Sequence, residues 1–533
     1  MGVGAGPGEH SAAEQSESSL ATMGAPLLSS ESSVRNVATE NSQSQRGSGA
    51  GQQAGTLSST ERGASLRHLL CGGSPNVWRV ILFSFLINLS GAVWQSSVWS
   101  PLLQSVFNSN IYLGIIAAAQ GVGELSAAVL SGWGADRYGK EFFIRIAAAV
   151  GCLSVVAIAV GVHYEHLGTL IAASLASGAS YGAFFPCVEA ILADSVPAGR
   201  RTFLYNIKYG LETSSYVAGY AVTMCMFAYF GNHWDVRAMK IVVDVGLGMS
   251  LLATLLLFTI REEFTLKRMR EAGLLSARSV DDLPEEEEEA DEGDDEEEDD
   301  CTNHEALARA PGLIPQRFVP FAVAGKDLVV CLGSGMTTMY ISLFLIDDYS
   351  VAPMQLQAVL IGCSVCSVLC SQTLGLITGD SGKCATADGK PRFNRIRMML
   401  VPFTIGVFGM YYLALAKTTI LSALAPTLAV YIVRSGVMNS MSGLSRAILM
   451  DLVPARNRAK WNVFESVSSV TWAGSAVVGG AIADRWDYRA TFLITAACHT
   501  VGWAVVALAS RNRDRPAKEV VAEVLAAEEA AAT

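Results

Sequence analysis

The sequence predicts an all-α membrane protein: twelve transmembrane helices in two pseudo-symmetric six-helix bundles. Three observations predict it. The 533 residues are 51% hydrophobic and only 16% charged, and their mean hydropathy is +0.35, too apolar for a water-soluble chain of this size. The apolar residues fall into twelve runs, most near the ~20 residues that carry a helix across a bilayer. Short stretches of the first six runs recur in register in the second six.

Residues 1–76 are rich in Ser, Gly, Ala and Gln. Such a segment cannot bury a core, and it is expected to be a disordered cytosolic tail. It has no apolar run for a signal peptide, and Glu9, Glu14, Glu17, Glu31 and Glu40 disfavour a transit peptide. Gly6 stands where a myristoylation motif needs Ser or Thr.

The first bundle is expected over 77–260, with spans at 77–98, 111–133, 142–162, 167–194, 203–230 and 238–260. A polar linker follows at 261–317. Its stretch 281–300 holds 16 acids and no base, and removing those charges turns the net charge of −11 into +5. A block of like charge self-repels and reads as solvated linker; it has no EF-hand spacing. The second bundle is expected over 318–510, with spans at 318–346, 354–378, 397–416, 420–452, 459–484 and 489–510, and a cytosolic tail at 511–533.

Loop charge sets the orientation. One side of the predicted membrane carries Arg137, Lys140, Arg200, Arg201, Lys383, Lys390, Arg392, Arg456, Arg458 and Lys460; the other carries few bases, among them Arg237, Lys240, Lys417, Arg485 and Arg489. Basic loops stay inside, so both termini and the linker are expected in the cytosol.

The repeat is local but clear. Ala190-Ile191-Leu192-Ala193-Asp194-Ser195-Val196-Pro197-Ala198, with Arg201 beyond it, returns as Ala447-Ile448-Leu449-Met450-Asp451-Leu452-Val453-Pro454-Ala455, with Arg458 beyond it. Trp234-Asp235-Val236-Arg237 returns as Trp486-Asp487-Tyr488-Arg489. Both pairs join corresponding spans, which implies a pseudo-two-fold along the membrane normal.

Between the second and third spans lies a short polar break: Gly132-Trp133-Gly134-Ala135-Asp136-Arg137-Tyr138-Gly139-Lys140. It resembles the signature loop of the major facilitator superfamily, with Gly132, Asp136, Arg137, Gly139 and Lys140 on the pattern; Glu141 stands where a second base is usual. In the second half, Gly375, Gly379, Asp380, Gly382 and Lys383 keep a degraded version in an expanded loop. The resemblance covers about residues 77–510 and reaches no subfamily. It implies a cavity lined by spans 1, 4, 7 and 10, flanked by 2, 5, 8 and 11. It also implies that Asp136 meets the start of span eleven near Arg458, with Asp194, Arg201, Asp451 and Arg458 as companion gate residues.

Charges inside spans are costly and need a reason, ~2.5–3.5 kcal/mol each on insertion scales. Arg434 in span ten and Glu124 in span two fall near mid-depth, and they are the candidate substrate and proton-coupling pair. If they do not pair directly, Arg434 is free for an anionic solute and Glu124 for a proton. Lys208 and Glu212 are spaced to satisfy each other on one helix face, and Glu212 and Asp327 are the next candidates for substrate or proton coupling after Arg434 and Glu124. Lys326, Asp327 and Glu465 are candidates for gate pairs or snorkelling, and Asp244 sits on a support helix without an account. Asn88, Trp94, Gln95, Tyr181, Tyr340 and Asn439 are uncharged candidates for a cavity lining, to be weighed against helix packing. Cys363, Cys366 and Cys370 share one helix face without His or acidic companions, which favours packing over metal.

No nucleophile–base set or metal-ligand cluster appears, so neither enzyme activity nor a cofactor is expected. The resemblance implies a secondary transporter of a small solute, with a proton as candidate coupling ion, the lipid bilayer as surroundings and no nucleic-acid partner. The alternative is a non-transporting receptor or membrane scaffold that kept the fold.

Overall fold

The computed structural model describes residues 74–196, 201–271, 318–378, 395–416, 423–452 and 458–510. The chain divides into the compact units Met1–Arg62 and Gly63–Thr533, and every described residue belongs to the second. The expected N-terminal tail (save its last residues), the acidic run, the degraded loop from Gly379 to Lys383 and the tail after Ser510 lie outside the described residues.

Twelve long helical segments order the described residues. They are α1 (Pro75–Trp94, resuming at Trp99–Phe107), α2 (Asn110–Tyr138), α3 (Lys140–His163), α4 (Leu167–Asp194), α5 (Arg201–Phe230) and α6 (Val236–Leu256). The second half supplies α7 (Val319–Thr338, resuming at Ile341–Tyr349), α8 (Pro353–Thr378), α9 (Arg395–Leu415), α10 (Leu424–Leu452), α11 (Arg458–Arg485) and α12 (Tyr488–Ala509). The near end is where α1 begins; the far end is where α2 begins.

Local chemistry explains the boundaries. Ser74 caps α1, its Oγ accepting from Asn76 N at 3.2 Å, and Pro75 occupies the first turn. The repeated Trp-Asp element is a helix cap in both halves. Asp235 accepts from Ala238 N at 3.1 Å at the start of α6, and Asp487 accepts from Ala490 N at 2.7 Å at the start of α12.

Two expectations are corrected. The apolar pattern predicts a first span ending at residue 98, but α1 resumes and reaches Phe107. The polar Gln95-Ser96-Ser97 is an interruption within one span, and Pro101 fits the first turn of the resumed segment. α7 is interrupted at the matching place, and both resumed segments end in a left-handed residue, Asn108 (φ 50°) and Ser350 (φ 51°). Second, the polar break from Gly132 to Tyr138 is the last two turns of α2, not a loop. The chain turns at Gly139 alone, whose φ of +86° suits a residue without Cβ.

Helix packing reveals the pseudo-symmetry. In the first half α1 packs on α5 and α6, α2 on α4, and α3 on α4 and α6; in the second, α7 packs on α11 and α12, α8 on α10, and α9 on α10 and α12. Adding six to each number converts one set into the other. The halves meet through α2 on α11 and α5 on α8, two contacts that the same operation exchanges.

Small residues allow the closest approaches. A Cβ at Gly178 or Gly182 of α4 would collide with the α2 backbone at Gln120 or Glu124. A Cβ at Gly114 of α2 would lie 2.6 Å from the carbonyl of Ala476 on α11. Leu153, Phe408 and Leu252 face outward at 72%, 70% and 63% exposure, as lipid-facing side chains do. Among the described residues, nine helices are long and apolar enough to cross a membrane. The other three, α5, α10 and α11, have 30, 29 and 28 residues but carry more polar side chains.

Candidate functional site

At the near end, the signature residues join the start of α3 to the end of α4. Lys140 Nζ meets Asp194 Oδ2 at 2.6 Å, so two residues drawn from separate motifs form one ion pair. Glu141, the departure from the pattern, pairs with Arg145 and accepts from Glu262 N at 3.0 Å. It fastens the segment after α6 to α3. Gly134 leaves room for the Phe143 ring, Gly132 is exposed, and Arg137 lies over the Tyr138 ring at 5.6 Å. The side chains of Asp136, Arg201, Asp451, Arg458 and Glu465 lie outside the described residues.

In the first half the buried cation is Lys208, 7% exposed. It pairs with Glu212 on its own helix at 3.3 Å, and more closely with Glu189 of α4. The pair is therefore an inter-helix triad of two carboxylates on one ammonium, placed where α5 begins and α4 ends. Glu124 of α2 points across to α11, accepting from Ser469 Oγ at 2.9 Å. Tyr181 lies within electrostatic reach of Glu124, Glu189 and Glu212, and its ring stacks on Phe185 at 5.3 Å.

In the second half Lys326, 3% exposed, pairs with Asp327. Ser445 of α10 closes the group, accepting from Lys326 Nζ at 2.9 Å and donating to Asp327 Oδ2 at 2.7 Å. A lysine so enclosed does not snorkel.

Arg434 is different. Its Cβ and Cγ lie against Gly409 of α9, and the guanidinium comes within electrostatic reach of Tyr431, Cys363 and His499. Its Nε is buried without a hydrogen-bond partner, and among the described residues no carboxylate pairs with it. His499 is fully buried, bonds Ser334 Oγ through Nε2 at 3.2 Å, and leaves Nδ1 unpartnered. Arg434 and Glu124 are not brought together: the stem of Arg434 lies against α9, and Glu124 bonds Ser469 of α11.

The uncharged candidates divide. Gln95 donates to Gln120 Oε1 at 3.3 Å, tying α1 to α2, while Asn88 Nδ2 donates to Ser84 O of its own helix at 2.8 Å. Tyr181 and Asn439 are exposed. Trp94 is buried against Trp99 and Gly246, a packing role. Tyr340 is wholly buried at the far end, with its hydroxyl 2.6 Å from Ala476 O and 3.3 Å from Asn110 O. It seals the joint between halves instead of lining a cavity. Cys366 packs against Gly436, and the described residues hold no group of His, Cys, Asp or Glu suited to a metal.

A sequence profile described as Major Facilitator Superfamily matches residues 37–209, 80–280 and 327–531. The chain belongs to the major facilitator superfamily. No curated protein matches the sequence. Among solved structures, the nucleoside transporter NupG aligns with a TM-score of 0.56 at 12% identity, over 81% of this chain and 99% of that one. A bacterial homologue of the human lysosomal transporter Spinster gives 0.57 at 13%, over 82% and 97%. The xylose transporter XylE from E. coli gives 0.56 at 16%, over 80% and 94%. These likenesses establish the fold.

Within that fold, three features escaped the sequence reading. Glu189 immediately precedes the repeated Ala-Ile-Leu block, and its counterpart is Arg446, so the repeat itself marked a charged position. Asp244 has an account: its Oδ2 meets His163 Nε2 at 2.9 Å, joining α6 to α3. Asp484, on the last turn of α11, binds the first turn of α2.

Proposed function

We propose that the protein is a secondary transporter that moves a small solute by alternating access between its two halves. Arg434 holds an anionic group of that solute, and Glu124 is the candidate proton carrier. Both termini lie in the cytosol on the loop-charge argument, which makes the far end extracytoplasmic. One observation carries the reading: a membrane-embedded guanidinium whose Nε is buried without a hydrogen-bond partner and which, among the described residues, has no paired carboxylate. Arginine stays protonated, so such a group calls for an anion. A scaffold has no use for this cost, whereas a transporter recovers it when solute binds.

Purified protein in liposomes, given a panel of labelled anionic and neutral solutes with and without a pH gradient, tests the reading. Uptake of an anionic solute is expected. Arg434→Gln should raise its KM about 10- to 100-fold, the range of a lost charge-assisted hydrogen bond. Arg434→Lys, which loses the planar fork, should restore only part. Uptake by Arg434→Gln equal to the parent would refute the anion site, and no uptake of any solute would favour the receptor or scaffold.

A further inference from the structure

The far end of the molecule is closed by two helix caps supplied from across the joint between halves. Asp484 ends α11. Its Oδ1 accepts from Asn110 N at 2.9 Å and Asn110 Nδ2 at 2.8 Å; its Oδ2 accepts from Ser109 Oγ at 2.9 Å and Ile111 N at 3.1 Å. The first backbone N–H groups of a helix have no partner within it, and its N-terminus favours negative charge. Ser109 stands at the N-cap position of α2 but makes no side-chain cap bond to its own helix. The carboxylate that does this work belongs to the other half.

The second joint repeats the arrangement. Asn232 follows the end of α5, and its Oδ1 accepts from Met354 N in the first turn of α8 at 2.9 Å. The pseudo-two-fold exchanges α5 with α11 and α2 with α8, so the two caps are symmetry counterparts, one charged and one neutral. Trp234 Nε1 reinforces the second joint by donating to Val351 O at 2.8 Å. Tyr488 reinforces the first, donating to Asn110 Oδ1 at 3.4 Å.

We propose that Asp484 and Asn232 are the latch of the far end: each caps a helix of the opposite half only while that end is shut. Opening strips α2 of its carboxylate and α8 of its amide oxygen. The caps therefore weight the equilibrium toward the far-end-closed state, and the charged one carries more of the weight. This rests on the alternating-access reading above, but it is tested without transport.

Spin labels on cysteines introduced at Tyr164, in the turn after α3, and Leu415, at the end of α9, report the far end; both positions are exposed. Distances are measured by electron–electron resonance on the full chain in nanodiscs, with native cysteines replaced. Asp484→Asn should raise the ratio of long to short distances roughly 3- to 30-fold, the scale of a lost cap. Asn232→Ala should raise it less, and the two together more than either. Unchanged distributions in both single variants would overturn the latch, as would a fall in melting temperature with no change in distances. Should Asp484→Asn fail to fold, Asn232→Ala and Tyr340→Phe carry the test with the same expected direction, and unchanged distances in both would overturn it. Distances that shift in a protein that moves no solute would leave the latch standing and count against the transport reading alone.

Discussion

Lys208 shows how a buried charge is made tolerable. One ammonium answers two carboxylates, Glu189 from α4 and Glu212 from α5, so no member of the triad is left alone in a low-dielectric setting. Removing the cation abandons both acids. Lys208→Met should therefore lower stability by about 1–3 kcal/mol, the cost of unsatisfied buried polar groups, while Lys208→Met with Glu189→Gln should recover part of the loss. Thermal melts of the two purified variants check this; equal melting temperatures would mean that Glu189 contributes nothing. Half of this triad was legible in the sequence, because the spacing from Lys208 to Glu212 puts both on one helix face. Glu189 was not, because it sits on another helix, and an apolar span reveals depth more readily than rotation. The same blindness to rotation left open whether Arg434 and Glu124 pair: the Arg434 stem lies against Gly409 of α9, and Glu124 bonds Ser469 of α11.

The helices were legible where their ends carry chemistry that acts locally. Asp235 and Asp487 start α6 and α12 by capping them, and both were visible as repeated Trp-Asp elements. The signature stretch misled for a related reason: glycines and charges near residue 132 read as a turn, yet in a helix end exposed at the membrane surface they fit the last turns of α2. Only Gly139, with its positive φ, bends the chain. Glycines inside the spans do something else. Gly178 and Gly182 bring α4 onto the backbone of α2, so a larger side chain must separate two helices that are otherwise in direct contact. Gly178→Val should cost about 1–3 kcal/mol or more from overpacking, and Gly248→Val, with open space around it, should cost much less. Yield of monodisperse protein and its melting temperature would separate them; equal behaviour would show that close approach of α2 and α4 is not required.

The two halves touch along α2 and α11, and their register is readable from paired positions. Asn110 meets Gly480 and Asp484, Gly114 meets Ala476 and Val477, Gly121 meets Ala473 and Val470, and Glu124 bonds Ser469. The helices run antiparallel with a nearly constant register, and continuing it brings the near end of α2 toward the segment where α11 begins. The family resemblance expects Asp136 to meet that helix N-terminus, where an acid is favoured, as Asp484 meets that of α2 at the far end. We propose that Asp136 serves the near end of this joint as Asp484 serves the far end. If each one holds its own end shut, the two must oppose each other in the equilibrium between states. Asp136→Asn should then shorten the mean distance between labels at positions 164 and 415, and Asp484→Asn should lengthen it. The double variant should return toward the parent, because a two-state balance responds only to the difference between the two losses. Transport should slow in both single variants, since each traps one state, and recover partly in the double. Shifts of the same sign in the two single variants would refute the opposed pair and return Asp136 to an ordinary role in the turn between α2 and α3.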